Sequence, residues 1–161
     1  MPKVTEKIPE PVLSVKAALT ALGVADTVRI FDEEVPTAAA AASVLGCEVA
    51  AITNSLIFEV DGEPLLILAS GAAKVDTAHV ARRLETGQIR RAKPEFVLAH
   101  TGQEVGGVAP VGHPAKIRTI LDNSLRVHYE LWAGAGDHHS MFSITYEDLR
   151  RITDAEELDV R

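Results

Sequence analysis

The dipeptide Asp61-Gly62, set between the apolar runs "AITNSLIFEV" and "PLLILAS", constrains this fold more than any other feature of the chain. Both residue types tolerate positive φ, which a tight two-residue hairpin turn requires. Residues 51–69 are therefore expected as two antiparallel strands. The first of them interrupts its apolar run with Thr53, Asn54 and Ser55. Side chains alternate along a strand, so Asn54 belongs on one face and Thr53 with Ser55 on the other. A polar triplet in such a place either faces solvent or lines a site.

The flanking segments supply the rest of an α/β domain. "PEPVLSVKAALTAL" (9–22) spaces Val12, Val15, Leu19 and Leu22 as a helix, with Gly23 as its stop. "TVRIF" (27–31) reads as a short strand. "PTAAAAASVLG" (36–46) reads as an Ala-rich helix capped by Thr37 and ended by Gly46. "VDTAHVARRLE" is expected as a helix ending near Gly87, and "KPEFVLAHTG" (93–102) as one opened by Pro94 and closed by Gly102. After a loop at 106–114, "KIRTILD", "RVHYELWAG" and "SMFSIT" are expected strands. "TYEDLRRIT" is a closing helix with Thr145 as cap, and the acidic tail "DAEELDV" a solvated last strand. With no repeat or linker, residues 1–161 read as a single domain with a mixed, largely antiparallel sheet and helices packed around it.

Composition narrows the function classes. A chain of 161 residues at 47% hydrophobic can bury one substantial core, and with 4% aromatics Ala, Val, Leu and Ile must fill it. No apolar run reaches the roughly 20 residues of a membrane helix. "MPKVTEKIPEP" lacks the apolar stretch of a secretory signal, and the single Cys47 fits a reducing, cytoplasmic setting. The net charge of −7 argues against backbone-driven binding of DNA or any other nucleic acid, which needs a basic face. It leaves room for docking one end of an RNA in a pocket with a few local cations.

"GQEVGGVAPVGH" is the motif with the most chemical content. Its glycines allow close approach of a ligand to backbone N–H groups, and its prolines stiffen the remainder. Such a loop can present amides to an ester or a developing oxyanion. It lacks the Gly-Lys-Ser/Thr of a phosphate-binding loop. The six histidines and Cys47 match no metal-ligand spacing, so no metal is expected. His113, His138 and His139 can gather near a pocket, although surface loops are the plainer place for each. His128 is placed on a strand. Ser55 and Ser140 lack a nucleophile-elbow context, and Cys47 lacks a fixed basic partner.

In order along the chain stand a "T-A-x-x-A-A-x-x-L-G" helix (Thr37 to Gly46), an "I-x-K-S/T-L-x-F"-type strand (Ile52 to Phe58), and a "G-x-x-x-G-G-V-x-P-x-G" loop (Gly102 to Gly112). A "D-x-S-L" step (Asp122 to Leu125) and a "G-A-G" turn before "S/T-x-E-D-L" (Gly134 to Leu149) follow. Together they resemble the YbaK/prolyl-tRNA-synthetase-associated editing-domain family over about residues 28–160, leaving 1–27 as an N-terminal helical extension. The resemblance implies an antiparallel-rich, barrel-like mixed sheet and hydrolysis of the ester in mischarged tRNA, without metal or other cofactor. Its pocket lies between the strand and the glycine loop. Asn54, aligned with the family's lysine, and Gly106 and Gly107 are the expected catalytic positions. Thr53, Ser55, Pro110 and Gly112 are expected to bind substrate, as are His113, Gly134 and Ser140.

Two functions stay open at this point, with hydrolysis of some other small ester as a weaker third. One is a freestanding cytoplasmic deacylase that acts on the acceptor end of a tRNA carrying a wrong small amino acid. An aminoacyl-tRNA synthetase is the further partner the resemblance allows. The other is a catalytically silent aminoacyl- or nucleotide-binding module, because a carboxamide cannot supply the charge of a lysine.

Overall fold

The computed structural model describes residues 8–161, so the first seven residues of the expected N-terminal extension lie outside the described residues. The hairpin forms as its turn chemistry requires. β2 (Ile52–Val60) and β3 (Glu63–Ser70) pair antiparallel from Thr53↔Ser70 to Val60↔Glu63. Asp61 and Gly62 both adopt left-handed conformations, with φ of 51° and 82°. Eight strands among the described residues form one mixed sheet in the order β1-β7-β6-β2-β3-β5-β8, with β4 (Arg90–Arg91) also paired to β2. β1 (Arg29–Ile30) and β7 (Ser140–Ile144) pair antiparallel, as do β7 and β6 (Leu131–Gly134). β3–β5 (Arg118–Asp122), β5–β8 (Glu156–Leu158) and β2–β6 are parallel.

Helices cover both faces. α1 (Glu10–Ala21), α4 (Pro94–Thr101) and α5 (Tyr146–Thr153) send Val15, Leu19, Val97, Leu149 and Ile152 into one core with Leu66, Leu68 and Leu121. Across the sheet, α3 (Thr77–Leu84) packs Val80 against Leu65, Ile67 and Ile120. α2 (Ala38–Leu45) lays Ala41 and Ala42 on Ile52, Trp132 and Met141, a close contact that only its small side chains permit. β3 is thus buried on both faces, which is why its sequence is a continuous apolar run.

The caps follow the sequence. Thr37 Oγ1 accepts from Ala40 N, and Gly46 closes α2 in the left-handed region. Thr145 Oγ1 accepts from Asp148 N at the start of α5. α3 stops earlier than expected, at Glu85 rather than near Gly87, with Glu85 itself at φ 56°.

Three expectations are corrected. "RVHYELWAG" is not one strand: residues Asn123–Val127 form a 3-10 helix, and β6 begins only at Leu131. Asp122 diverts the chain, its buried carboxylate accepting from Ser124 N and Ser70 N at 2.9 and 3.0 Å. His128 consequently ends that helix instead of lying on a strand. The acidic tail does form a strand, but it is not simply solvated, since Leu158 and Val160 are buried in the second core.

Candidate active site

Strand pairing leaves an opening in the sheet. β3 occupies one edge of β2, while the other edge is shared: β6 pairs with Ile52 and Thr53, and β4 with Phe58 and Glu59. Residues 54–57 have no strand partner on that edge. A cavity of about 730 Å³ opens here, lined by β2, the starts of α2 and α3, the loop at 105–108 and the turn at 134–138. Because the sheet is interrupted, both faces of β2 reach the same space. Thr53, Asn54 and Ser55 all line it, although the pleat points them alternately.

Asn54 lies opposite Ala69 and shares its face with Ile52 and Leu56. Its carboxamide has no protein hydrogen-bond partner among the described residues. Thr53 is 2% exposed, and both its Oγ1 and the Ser55 Oγ are buried without a partner. A hydroxyl left unpaired in this way costs about 1–3 kcal/mol. Such a cost in a cavity wall is removed when a polar ligand arrives.

The glycine loop and the 134–138 turn meet backbone to backbone. A Cβ on Gly134 would stand 2.9 Å from the Val108 carbonyl oxygen, and one on Gly107 only 2.8 Å from Asp137 Cα. Glycine is what lets these two segments close the cavity wall. The Gly107 N–H is already donated to the Glu104 carbonyl at 2.9 Å. The N–H groups of Gly106 and Val108, both in the cavity wall, have no protein acceptor among the described residues and, with that of Val105, remain as the loop's amide donors. The His138 ring lies over Gly106, with Nε2 3.9 Å from Glu104 Oε2.

The expected binding residues divide. Gly134 and Ser140 line this cavity. Ser140 Oγ donates to Asp137 Oδ1 at 2.7 Å, and that oxygen also accepts from His139 N. Ser140 thereby shapes the turn rather than presenting a free nucleophile. Gly112 and His113 line a separate cavity of about 490 Å³ between α1 and the end of α4. Pro110 is buried and lines neither cavity. His113 Nε2 donates to the Ala109 carbonyl at 2.8 Å, and burial pushes its imidazole below the usual histidine range. Of the three histidines expected to gather, only His138 lines the larger cavity. Burial, reinforced by the charge of Glu130, raises the Cys47 thiol, which keeps it protonated and unsuited to nucleophilic attack.

Sequence reasoning missed Lys74, Arg91 and Asp137, which line the cavity, and Gln103, which holds its loop. Lys74 and Arg91 are remote in sequence from the polar triplet, and only the fold gathers them. Among the described residues no three His, Cys, Asp or Glu side chains gather as a metal-binding group, and no helix is long and apolar enough to cross a membrane.

Comparison with known proteins gives this geometry its context. A profile of the aminoacyl-tRNA editing domain matches residues 32–152. The Bacillus subtilis protein YwhH is 31% identical over 141 residues, which cover 87% of this chain and 89% of YwhH. The proline–tRNA ligase of Oleidesulfovibrio alaskensis is 35% identical over 115 residues, covering 65% of this chain and 20% of the ligase. A solved structure of a candidate trans-editing enzyme for prolyl tRNA synthetase superposes with a TM-score of 0.91 at 31% identity, over 96% of this chain and 99% of that one. The profile match takes in the hairpin, the interrupted edge of β2, the glycine loop and the 134–138 turn, so the chain belongs to the aminoacyl-tRNA editing domain family.

Proposed function

We propose that this protein is a trans-editing deacylase that hydrolyses the ester between a small amino acid and the acceptor end of a non-cognate tRNA in the cytoplasm. The observation that carries the proposal is the interrupted edge of β2, where unpaired hydroxyls, a free carboxamide and free loop amides share one cavity. Its volume of about 730 Å³ is of the size that holds one small ligand. It fits a terminal aminoacyl-nucleoside and not a tRNA helix. The match to a candidate trans-editing enzyme over 99% of that chain supports the trans-editing reading. Similarity to proline–tRNA ligases makes tRNAs charged by prolyl-tRNA synthetase the first substrates to test.

In this reading water attacks the ester carbonyl, and the Gly106 and Val108 amides receive the developing oxyanion. The ester C–O bond then breaks, and the proton lost by the water ends on the ribose oxygen. Asn54 orients the substrate or the water by hydrogen bonding, since an amide carries no charge. A cavity of fixed size rejects larger side chains by exclusion.

The test is deacylation of a panel of mischarged tRNAs by wild type, Asn54→Ala and Asn54→Lys. Losing one pre-organised donor typically costs about 10²–10³-fold in rate, so Asn54→Ala should fall by that factor on the preferred substrate. Wild type should exceed Asn54→Lys. The reverse order, or equal rates for all three, contradicts an Asn-adapted enzyme. Silence of wild type on every tRNA contradicts the deacylase itself and leaves the binding module.

A further inference from the structure

We infer that Lys74 is the anion-holding residue of this cavity and binds the phosphate next to the terminal nucleoside of the RNA, an inference that rests on the deacylase reading above. Asn54 brings no charge, yet the cavity is not electrically neutral. Its cationic lining residues are Lys74 and Arg91, and its one carboxylate is Asp137. Asp137 Oδ1 is engaged by His139 N and Ser140 Oγ. The cavity is therefore locally positive on a chain of net charge −7. That local sign is what an anionic ligand needs to enter.

Position selects Lys74 over Arg91. β3 runs antiparallel to β2, with Ala69 opposite Asn54 and Ser70 opposite Thr53. The chain then turns at Gly71, where a Cβ would come within 2.5 Å of the Val49 carbonyl oxygen and 2.9 Å of Ala38 Cβ. This tight passage beside the start of α2 leads the chain from Ser70, opposite Thr53, directly on to Lys74 in the cavity lining. Arg91 enters at the far end of β2, opposite Phe58. Lys16 and Lys116 are paired with Asp26 and Asp154, whereas neither Lys74 nor Arg91 makes an ion pair among the described residues, so their places along β2 separate them. An exposed ammonium on a flexible four-carbon stem can follow a phosphate while keeping part of its hydration. The buried hydroxyl of Thr53 supplies a polar wall in the same cavity. Lys74 thus gives the enzyme a cation that stands off the reacting ester. It contributes to binding and not to the chemical step.

The experiment titrates wild type, Lys74→Gln, Lys74→Arg and Arg91→Gln with adenosine 5′-monophosphate and with adenosine, and measures deacylation against salt. A charge-assisted contact predicts about ten-fold or greater preference of wild type for the phosphorylated ligand. Lys74→Gln should erase that preference, while Lys74→Arg and Arg91→Gln keep it. In deacylation, Lys74→Gln should raise KM about ten-fold with kcat little changed. The slope of log KM against log salt should drop by about 0.7, the value for one phosphate contact on a single strand. No preference in wild type, no binding of either ligand, or a preference that survives Lys74→Gln overturns the assignment. So does its loss in Arg91→Gln. A protein that prefers the phosphorylated ligand through Lys74 but cleaves no ester keeps the anion site and loses the deacylase, so the two readings fail separately.

Discussion

Gln103 is the residue whose removal should be felt most widely. It is 1% exposed and clamps the glycine loop from below: Oε1 accepts from Ala109 N at 2.8 Å, and Nε2 donates to the Val111 carbonyl at 3.3 Å. Its own backbone is held by Thr101 Oγ1, which accepts from Gln103 N at 3.0 Å. In Gln103→Leu the side-chain volume stays similar, but the Ala109 N–H and Val111 C=O lose their partners. Both residues are buried, at 0% and 8% exposure, so water cannot replace the amide. Each stranded group costs about 1–3 kcal/mol, or roughly 2–6 kcal/mol together. In a chain of this size each kcal/mol moves Tm by about 2–4 °C, which predicts a fall of roughly 4–24 °C. Thermal unfolding followed by circular dichroism measures it. Because Ala109 directly follows Val108 in the cavity wall, deacylation by the folded fraction should also drop. A Tm within about 2 °C of wild type, with unchanged turnover, would show that the loop is held by its own backbone and refute the clamp.

Two more perturbations separate the loop's parts. Gly107→Val should lower both the urea midpoint and deacylation, because its Cβ meets Asp137 Cα and C at 2.8 and 2.9 Å. Overpacking of this kind costs about 1–3 kcal/mol. Gly107 is not among the positive-φ glycines, so the damage is steric, and wild-type values for both quantities would disprove the contact. His113 should make stability fall in mild acid. Burial depresses its folded pKa, whereas the unfolded chain titrates near about 6.5. Its contribution is therefore complete above that pH and is lost as pH falls through the folded value, where the unfolded chain binds the extra proton. Urea midpoints at several pH values should decline less steeply for His113→Gln than for wild type. Parallel curves would remove His113 from the acid response.

The legible parts of the fold were those governed by local chemistry. Asp61-Gly62 specified its turn because few residues tolerate two consecutive positive φ values. Thr37, Thr145, Gly46 and Gly102 marked helix ends because caps satisfy backbone groups within a few residues. The 126–130 segment misled because its β-forming composition gave no hint of Asp122, whose carboxylate bonds Ser70 N across 52 residues. The tail misled similarly, since its acidic residues masked Leu158 and Val160. In the cavity lining, the polar triplet and Gly106 were readable as breaks in an otherwise regular pattern. Pro110, Gly112 and His113 were drawn in by proximity in sequence to Gly106, but a loop of that length spans two sides of a domain.

By itself the sequence determined the hairpin, the capped helices, the acidic balance and the uncharged residue at position 54. All of these follow from the conformational range, polarity or charge of residues a few positions apart. Only the tertiary structure decided that β6 and β4 share one edge of β2 and leave residues 54–57 unpaired between them. Strand pairing joins segments tens of residues apart, and its gaps depend on where each partner strand ends. That opening brings both faces of β2 into one cavity and sets Lys74, Arg91 and His138 around Asn54. Their gathering follows from packing across the whole chain, which no local pattern encodes.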